Sequence, residues 1–548
     1  MSARAPARRS GLVAALVLLV AGLAAGGATL WRTLGDDATD APSFARQLCG
    51  IPDGWRARTV RGYRAERSGQ IAILPRTPAY MGTAAGGWSH SGPWPYLQDV
   101  PLVFYGPGVV ARRGDVAAPA TSADVAPTLA RMTGARFDAV DGRVLPVLRR
   151  DASRPRLVVV IVWDGGGWNA LRQWPGDWPN LARMMRAGAS FTDATVGSSP
   201  SVTPSVHTTI GTGAFPRAHG ITGIPVRDEQ GVVVDSFEKG ESSRFVEVAT
   251  LAERWDEARG NRALVGMVGY EPWHLGMIGQ GAERGGGDRD DAAWLDIETN
   301  EWITNPDHYR LPRSLATAPG LDDDVDRLDA ADGELDGAWG DQDILDDVAR
   351  LEETPAFVVY HTRAMLRMVD AEGYGADRVT DFLFTNYKQI DRLGHYFNMA
   401  SDQVHDALVE TDRQLGVLLR ALDRDVGRGR YAVVVTADHG QQPDAPAVDG
   451  YGINPREILE DVDRHFGAPI TRAVWPTEVF LFDDELERAG VTVDDVARFL
   501  SDYRLRDNAT DPKDADAGAG VFDPDDRLLA MAIPSRMLAS DPCDGEDG

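Results

Sequence analysis

Leu157-Val-Val-Val-Ile-Val-Trp163-Asp164-Gly-Gly-Gly167 is the stretch whose reading decides the fold. Its apolar, β-branched run shows no alternation, so both faces are expected to be buried, as in a central parallel strand. The run ends on a carboxylate, at the strand end where open α/β sheets hold their ligands. Working outward, Phe382-Leu-Phe-Thr385 and Tyr431-Ala-Val-Val-Val-Thr436 read as further strands, the second closing on Ala437-Asp438-His439-Gly440. Val100–Tyr105, Ser190–Ala194 and Phe357–Tyr360 read as strands too, with helices expected over Asp124–Met132, Leu181–Ala187 and 401–423. The fold class expected is α/β: a doubly wound, mostly parallel sheet with helices on both faces. A strand at Glu478–Phe482, a helix at Val493–Tyr503 and a strand at Leu528–Ile533 add a small α+β subdomain.

A chain of 548 residues, 43% hydrophobic and 25% charged, can bury a large core in one big domain or two. Its formal net charge of -27 excludes a nucleic-acid partner, which needs a basic face. An anionic substrate stays compatible, because bound divalent cations reverse the local field. The acidic run over 321–347 reads as a solvated insertion, without calcium-loop spacing.

Arg4, Arg8 and Arg9 precede an uncharged, apolar segment over 11–30, long enough to span a bilayer. An uncleaved membrane anchor is the reading favoured over a cleaved signal peptide. Both put the bulk of the chain outside the cytoplasm, at the cell membrane or secreted. Export permits disulfides, and the only cysteines, Cys49 and Cys543, lie near the two ends of the exported part. A bond between them is one expectation and two unpaired thiols the other.

Ser199-Pro-Ser-Val-Thr203-Pro-Ser-Val-His207 reads as the approach to a helix, with Thr203 at its start. A hydroxyl there sits at the positive end of the helix dipole, where anions also bind. It is too weak a nucleophile alone, and no base lies beside it in sequence. The candidates around it are Asp164, Asp391, His395, Asp438 and His439, each following a strand-like run or opening the next element. Singly, such an Asp is often a helix cap and such a His a structural residue. Jointly, Asp, His and a hydroxyl suit divalent zinc, and the set is too large for one tetrahedral ion. Two ions about 4 Å apart accommodate it.

The motifs Val-Trp-Asp164-Gly, Thr203-Pro-Ser-Val-His207, Asn386-Tyr-Lys-Gln-Ile-Asp391-Arg-Leu-Gly-His395 and Thr-Ala-Asp438-His439-Gly resemble those of the alkaline phosphatase superfamily. Within it the type I phosphodiesterase/nucleotide pyrophosphatase branch is the nearest likeness. The resemblance implies one zinc ion on Asp164, Thr203, Asp438 and His439, and another on Asp391, His395 and a third histidine. It implies that Thr203 is the nucleophile and passes through a phosphothreonine. It covers roughly residues 157–445.

In the family the third histidine comes late in the chain, and nothing after residue 445 matches its context. The match lies upstream, at His90 followed by Asp99-Val-Pro-Leu-Val-Phe-Tyr-Gly106 and Asp124-Val-Ala-Pro-Thr-Leu129. The chain is therefore read as a circular permutant, and the bland alternative makes 71–147 an unrelated extension. The organisation expected is 1–35 anchor or signal segment, 36–150 permuted catalytic portion, 151–464 main catalytic portion with an insertion at about 225–345, and 465–548 small subdomain with an acidic tail. Family phosphodiesterases carry an Asn after the His-Gly-Ile turn, and Ile221-Thr-Gly-Ile224 offers none. Thr222, Arg227 or backbone amides are the candidates to hold the phosphoryl oxygen, and Lys388 is a further phosphate contact or else a residue of the surface or one that supports the ligands from behind. The three glycines after Asp164 are expected to leave that edge of the site open. His207 and His219 are expected to be structural.

The function expected is extracytoplasmic two-zinc hydrolysis of a small phosphate ester. The alternatives are a phosphomutase or phosphotransferase, or a metal-binding cell-envelope module without turnover. A sulfatase would need a modifiable Cys or Ser in place of Thr203.

Overall fold

The computed structural model describes residues 43–77, 79–82, 90–318, 320–445, 448, 450–508, 523–540 and 542–545. The anchor expected over 11–30 lies outside them. Among the described residues no helix is long and apolar enough to cross a membrane. Neither Cys49 nor Cys543 is a free thiol.

Two compact units form. The larger takes Ile51–Gln70, His90–Gln442 and the segment from Ser535, and the smaller takes the segment through Gly50, Ile71–Ser89 and Pro443–Pro534. In the larger unit the strands of the main sheet are β1 Leu102–Tyr105, β2 Gly114–Thr121, β3 Leu157–Trp163, β4 Ala189–Thr195, β5 Val265–Val268, β6 Asp291–Asp296, β7 Glu301–Ile303, β8 Asp381–Tyr387 and β9 Tyr431–Thr436. They make one sheet in the order β7-β6-β5-β8-β3-β9-β1-β4-β2. β8 and β9 flank β3 in parallel, while β1 runs antiparallel to β9 and β4. Every residue of β3, β8 and β9 is buried, because helices cover both faces. One apolar layer packs Val159, Ile161 and Val433 against helices, and the opposite layer does the same with Val158, Val160 and Val434.

The helices that matter for the site are α1 Val125–Thr133, α2 Pro179–Ala187, α3 Thr203–Thr212, α4 Leu251–Arg259, α5 Pro355–Glu372, α6 Gln389–Phe397 and α7 Asp402–Leu422. Phe357–Tyr360 is thus helical, inside α5, and not a strand. Pro355 starts that helix, and its run is buried on nearly all sides, so short-range periodicity cannot tell it from a core strand. In the acidic run, buried Asp324 is neutralised by Arg363 at 2.6 Å and by Arg327.

The smaller unit has an antiparallel sheet in which Ile71–Pro75 lies between Glu478–Leu481 and Leu529–Pro534, with Thr471–Trp475 at the edge. Phe44–Gly50, Pro455–Phe466, Asp483–Ala489 and Val493–Ser501 are its helices. Two expected boundaries change. The unit begins near Pro443, not at 465, and Ile71–Leu74 belongs to it and not to the large sheet of the other unit. A four-residue apolar run carries no information about its partner. Ile71 pairs with Val479 on one side and Pro534 on the other, far away in sequence. By contrast, the strands within 102–121 are integral to the large sheet of the other unit.

Candidate metal centre

The C-terminal ends of β8, β3 and β9 lie side by side, and each delivers a ligand-type residue. Asp164 follows β3, Lys388 and Asp391 follow β8, and Asp438 and His439 follow β9. Thr203 is the first residue of α3, with Pro204 preset for the first turn. It is 2% exposed. His90 lies just ahead of the turn leading to β1, where its Nδ1 is 3.2 Å from the Ser201 carbonyl. The sequence-predicted ligands therefore all meet in the larger unit.

Two groupings form. Asp391 Oδ1 is 3.4 Å from His90 Nε2 and 3.4 Å from His395 Nε2, the latter one helical turn along α6. Asp164 Oδ1 is 3.3 Å from His439 Nε2, and Asp438 Oδ2 is 3.6 Å from that same nitrogen. The His90 and His439 rings stack with centroids 3.5 Å apart, linking the groupings. Asp391 Oδ1, Asp438 Oδ2 and His439 Nε2 are buried without a hydrogen-bond partner, which the chemistry of a metal-ligand set explains. His439 Nδ1 meets the Gly440 carbonyl at 2.9 Å, as His90 Nδ1 meets that of Ser201, so both rings turn Nε2 inward. A backbone carbonyl on the outer nitrogen is the usual support of a metal-binding imidazole. The donor set fits a pair of divalent ions.

Lys388 is not a surface residue. It is 5% exposed, and its Nζ lies 3.0 Å from Asp164 Oδ1, 2.8 Å from Asp391 Oδ2 and 3.1 Å from Thr203 Oγ1. Burial lowers its pKa, but Asp164, Asp391 and Asp438 outweigh that and raise it, so it stays an ammonium. Burial likewise works against the Asp391 carboxylate, yet Lys388, His395 and His90 hold its pKa well below the usual range. His90 is driven to the neutral form by burial and then by His439.

Arg227 is removed from the site candidates. Its Nε donates to the Ser68 carbonyl at 2.7 Å, and its terminal nitrogen donates to that of Ala65. Thr222 remains a candidate oxyanion donor, since its hydroxyl is buried and unpartnered. The edge after Asp164 is closed, not open. Gly165, with φ +66°, and Gly167 let Gln441, Asp391 and Gly440 approach so closely that a Cβ would collide. His219 is structural, with Nε2 3.1 Å from Thr209 Oγ1 and Nδ1 accepting from the Ile221 amide at 3.1 Å. His207 does more than hold a helix. Its Nε2 lies 3.5 Å from Asp438 Oδ2, and its Nδ1 meets His274 Nδ1 at 3.1 Å.

Sequence reasoning missed Asn386, His274, Gln441 and Glu271. Asn386 donates to Asp164 Oδ2 at 2.9 Å. A polar Thr385-Asn386 pair inside an otherwise apolar strand was the available signal. Gln441 donates to the Ile390 carbonyl at 2.9 Å and braces the start of α6. Glu271 has its carboxyl pushed up to about 7 by burial, against Lys388 and Arg392.

Comparison with known proteins accords with this geometry. The profile of a family described as type I phosphodiesterase / nucleotide pyrophosphatase matches residues 158–525. Alkaline phosphatase PafA of Elizabethkingia meningoseptica is 24% identical over 365 residues, covering 58% of this chain and 65% of that protein. Alkaline phosphatase PhoV of Synechococcus elongatus is 23% identical over 343 residues, 54% of this chain and 60% of that one. The chain thus spans less than two thirds of the length of these curated relatives. The crystal structure of wild-type PafA superposes with a TM-score of 0.55 at 23% identity, covering 66% of this chain and 78% of that one. It shares the fold.

Proposed function

Because this chain belongs to the type I phosphodiesterase/nucleotide pyrophosphatase family, we propose that it hydrolyses phosphate esters outside the cytoplasm, with two zinc ions and a phosphothreonine at Thr203. One observation carries the reading. The Thr203 hydroxyl opens a helix 3.5 Å from Asp164 Oδ2 and 3.1 Å from Lys388 Nζ, beside three orphaned ligand atoms. His90, Asp391 and His395 would hold one ion, and Asp164, Thr203, Asp438 and His439 the other. Bound there, such ions supply Lewis acidity to ester oxygens and ease ionisation of a hydroxyl.

The chain's own residues do the rest. The free amides at the start of α3 face an incoming anion. Thr203 Oγ attacks phosphorus, a new P–O bond forms, and the bond to the leaving alcohol breaks, with the alcohol taking up a proton. Water then cleaves the phosphothreonine, restoring the hydroxyl and releasing phosphate or a monoester. Lys388 acts as a charged donor to Oγ and not as a base. Asn386 and His207 orient Asp164 and Asp438 from behind. Thr222 is the chain's candidate donor to the phosphoryl oxygen.

The same reading makes the chain a circular permutant, since His90 and β1 precede the first residue of the family match at 158. It also treats the apolar segment over 11–30 as the membrane anchor.

The test uses the full chain with 4-nitrophenyl phosphate and bis(4-nitrophenyl) phosphate, with and without chelator, beside Thr203→Ala. Chelator-sensitive turnover and an acid-trapped phosphate on the Thr203 peptide are expected. Undiminished turnover in Thr203→Ala would sink the covalent mechanism. Inactivity on both esters with zinc bound would favour a binding module.

A further inference from the structure

A second cluster of carboxylates lies on the same unit, apart from the centre described above. α4 carries Asp256, and the glycine-rich loop ahead of β6 carries Asp288 and Asp290. One oxygen from each lies within 4.8 Å of the other two. Asp256 and Asp290 are buried, while Asp288 is exposed.

The scaffold around them is well bonded. The Ala263 amide donates to Asp256 Oδ1 at 2.9 Å, and Asn261 Nδ2 reaches the Gly286 carbonyl at 3.3 Å. The Asp290 carbonyl accepts from the Arg310 amide at 2.9 Å. Asp290, a residue 9% exposed, is the exception in its side chain. Among the described residues it receives neither a hydrogen bond nor an ion pair, although it points into the cluster.

Among the described residues no basic side chain neutralises the group. Arg284 is turned to Glu257 at 3.5 Å and Glu253 at 3.9 Å, Arg289 to the Asp307 carbonyl at 3.4 Å, and Arg310 to Asp291 at 2.6 Å. Glu253 and Asp381 add further negative charge nearby. Burial first, and the neighbouring carboxylates second, push Asp256 up to about 7 and raise Asp290 well above the usual range. An uncompensated buried carboxylate is costly, and a divalent cation is the partner that relieves three at once.

We infer that Asp256, Asp288 and Asp290 form a binding site for one calcium ion, which ties α4 to the loop preceding β6. The donors are all carboxylate oxygen, with no histidine or cysteine, so the set suits a hard cation and not zinc. Calcium takes more oxygens than these three residues supply, and the exposed side at Asp288 admits water to complete the shell.

The experiment takes the full chain, dialysed into calcium-free buffer containing micromolar zinc, and titrates calcium chloride by calorimetry and by thermal unfolding. Wild type should bind one calcium per chain and melt higher as calcium rises. Asp288→Asn, at an exposed position and so compatible with folding, should weaken binding by at least ~10-fold. Asp290→Asn should abolish the calcium-dependent rise in melting temperature. The inference is overturned if wild type shows neither binding nor a melting shift, if both variants respond as wild type does, or if magnesium binds more tightly than calcium. Zinc content and ester turnover, measured alongside, report on the catalytic centre separately.

Discussion

Replacing Gly165 with alanine tests the reason the metal-type carboxylates can meet. Gly165 holds φ +66° directly after Asp164, and its amide donates to Asp438 Oδ1 at 3.2 Å. A Cβ added there would lie 2.3 Å from Gln441 Nε2, 3.0 Å from Asp391 Cα and 3.1 Å from Asp391 Cβ. The Gln441 amide is held by the Ile390 carbonyl at 2.9 Å, and Asp391 Cα is part of the α6 backbone, so neither yields freely. The left-handed backbone costs an alanine about 1–2 kcal/mol. Overpacking a filled site adds about 1–3 kcal/mol, so the loss should total about 2–5 kcal/mol. The displaced atoms carry Asp391, whose Oδ1 sits 3.4 Å from both His90 and His395, so zinc occupancy and turnover should fall together. The assay compares thermal unfolding, zinc content and bis(4-nitrophenyl) phosphate turnover. Gly176→Ala is the control, because a Cβ there meets nothing within 4 Å, and it should be neutral within ~0.5 kcal/mol. A Gly165→Ala protein with wild-type stability, zinc and turnover would refute the close-approach argument.

Lys388→Gln removes the ammonium lying between Asp164 and Asp391, and in chelated protein it should cost about 3–5 kcal/mol as those charges are left facing each other. Added zinc should restore part of that stability in unfolding experiments, and an equal loss with and without zinc would count against the ammonium's role as countercharge. Thr222→Val deletes a buried, unpartnered hydroxyl, so folding should be unharmed. If that hydroxyl serves the phosphoryl oxygen, kcat should drop by about 100-fold, with Thr222→Ser close to wild type. Asp381, buried beside the amides of Gly375 and Leu264, has its carboxyl raised to about 6, chiefly by burial. A raised carboxyl favours folding while protonated, so its contribution is full below the ordinary carboxylate range and is lost as pH rises through about 6. The fall in wild-type melting temperature across that interval should flatten in Asp381→Asn.

Much of the site was legible because strand ends announce themselves. Leu157–Trp163 and Tyr431–Thr436 are apolar without interruption, and the residues that follow are the ones the sheet brings together. Asp391 and His395 share one turn of α6, a spacing that sequence shows directly. His90 was readable only through its context ahead of β1, since a lone histidine carries no address. Phe357–Tyr360 was misread because a four-residue, mostly buried apolar run is too short to show a helical period. Arg227 was misjudged because a long side chain near a site can as well be spent on carbonyls, here those of residues 65 and 68.

The sequence by itself determined the α/β class, the central strands and the residue types that converge, since hydrophobic periodicity and strand-end position are local properties. Tertiary structure alone decided the rest: that Ile71–Pro75 completes the smaller sheet, that Lys388 is buried between Asp164 and Asp391, that His207 backs Asp438, and that Asp290 faces two other carboxylates unpaired. These depend on which distant segments pair and on what a buried charge finds opposite it. No local pattern encodes either, because both are set when non-local strands and helices pack and exclude water.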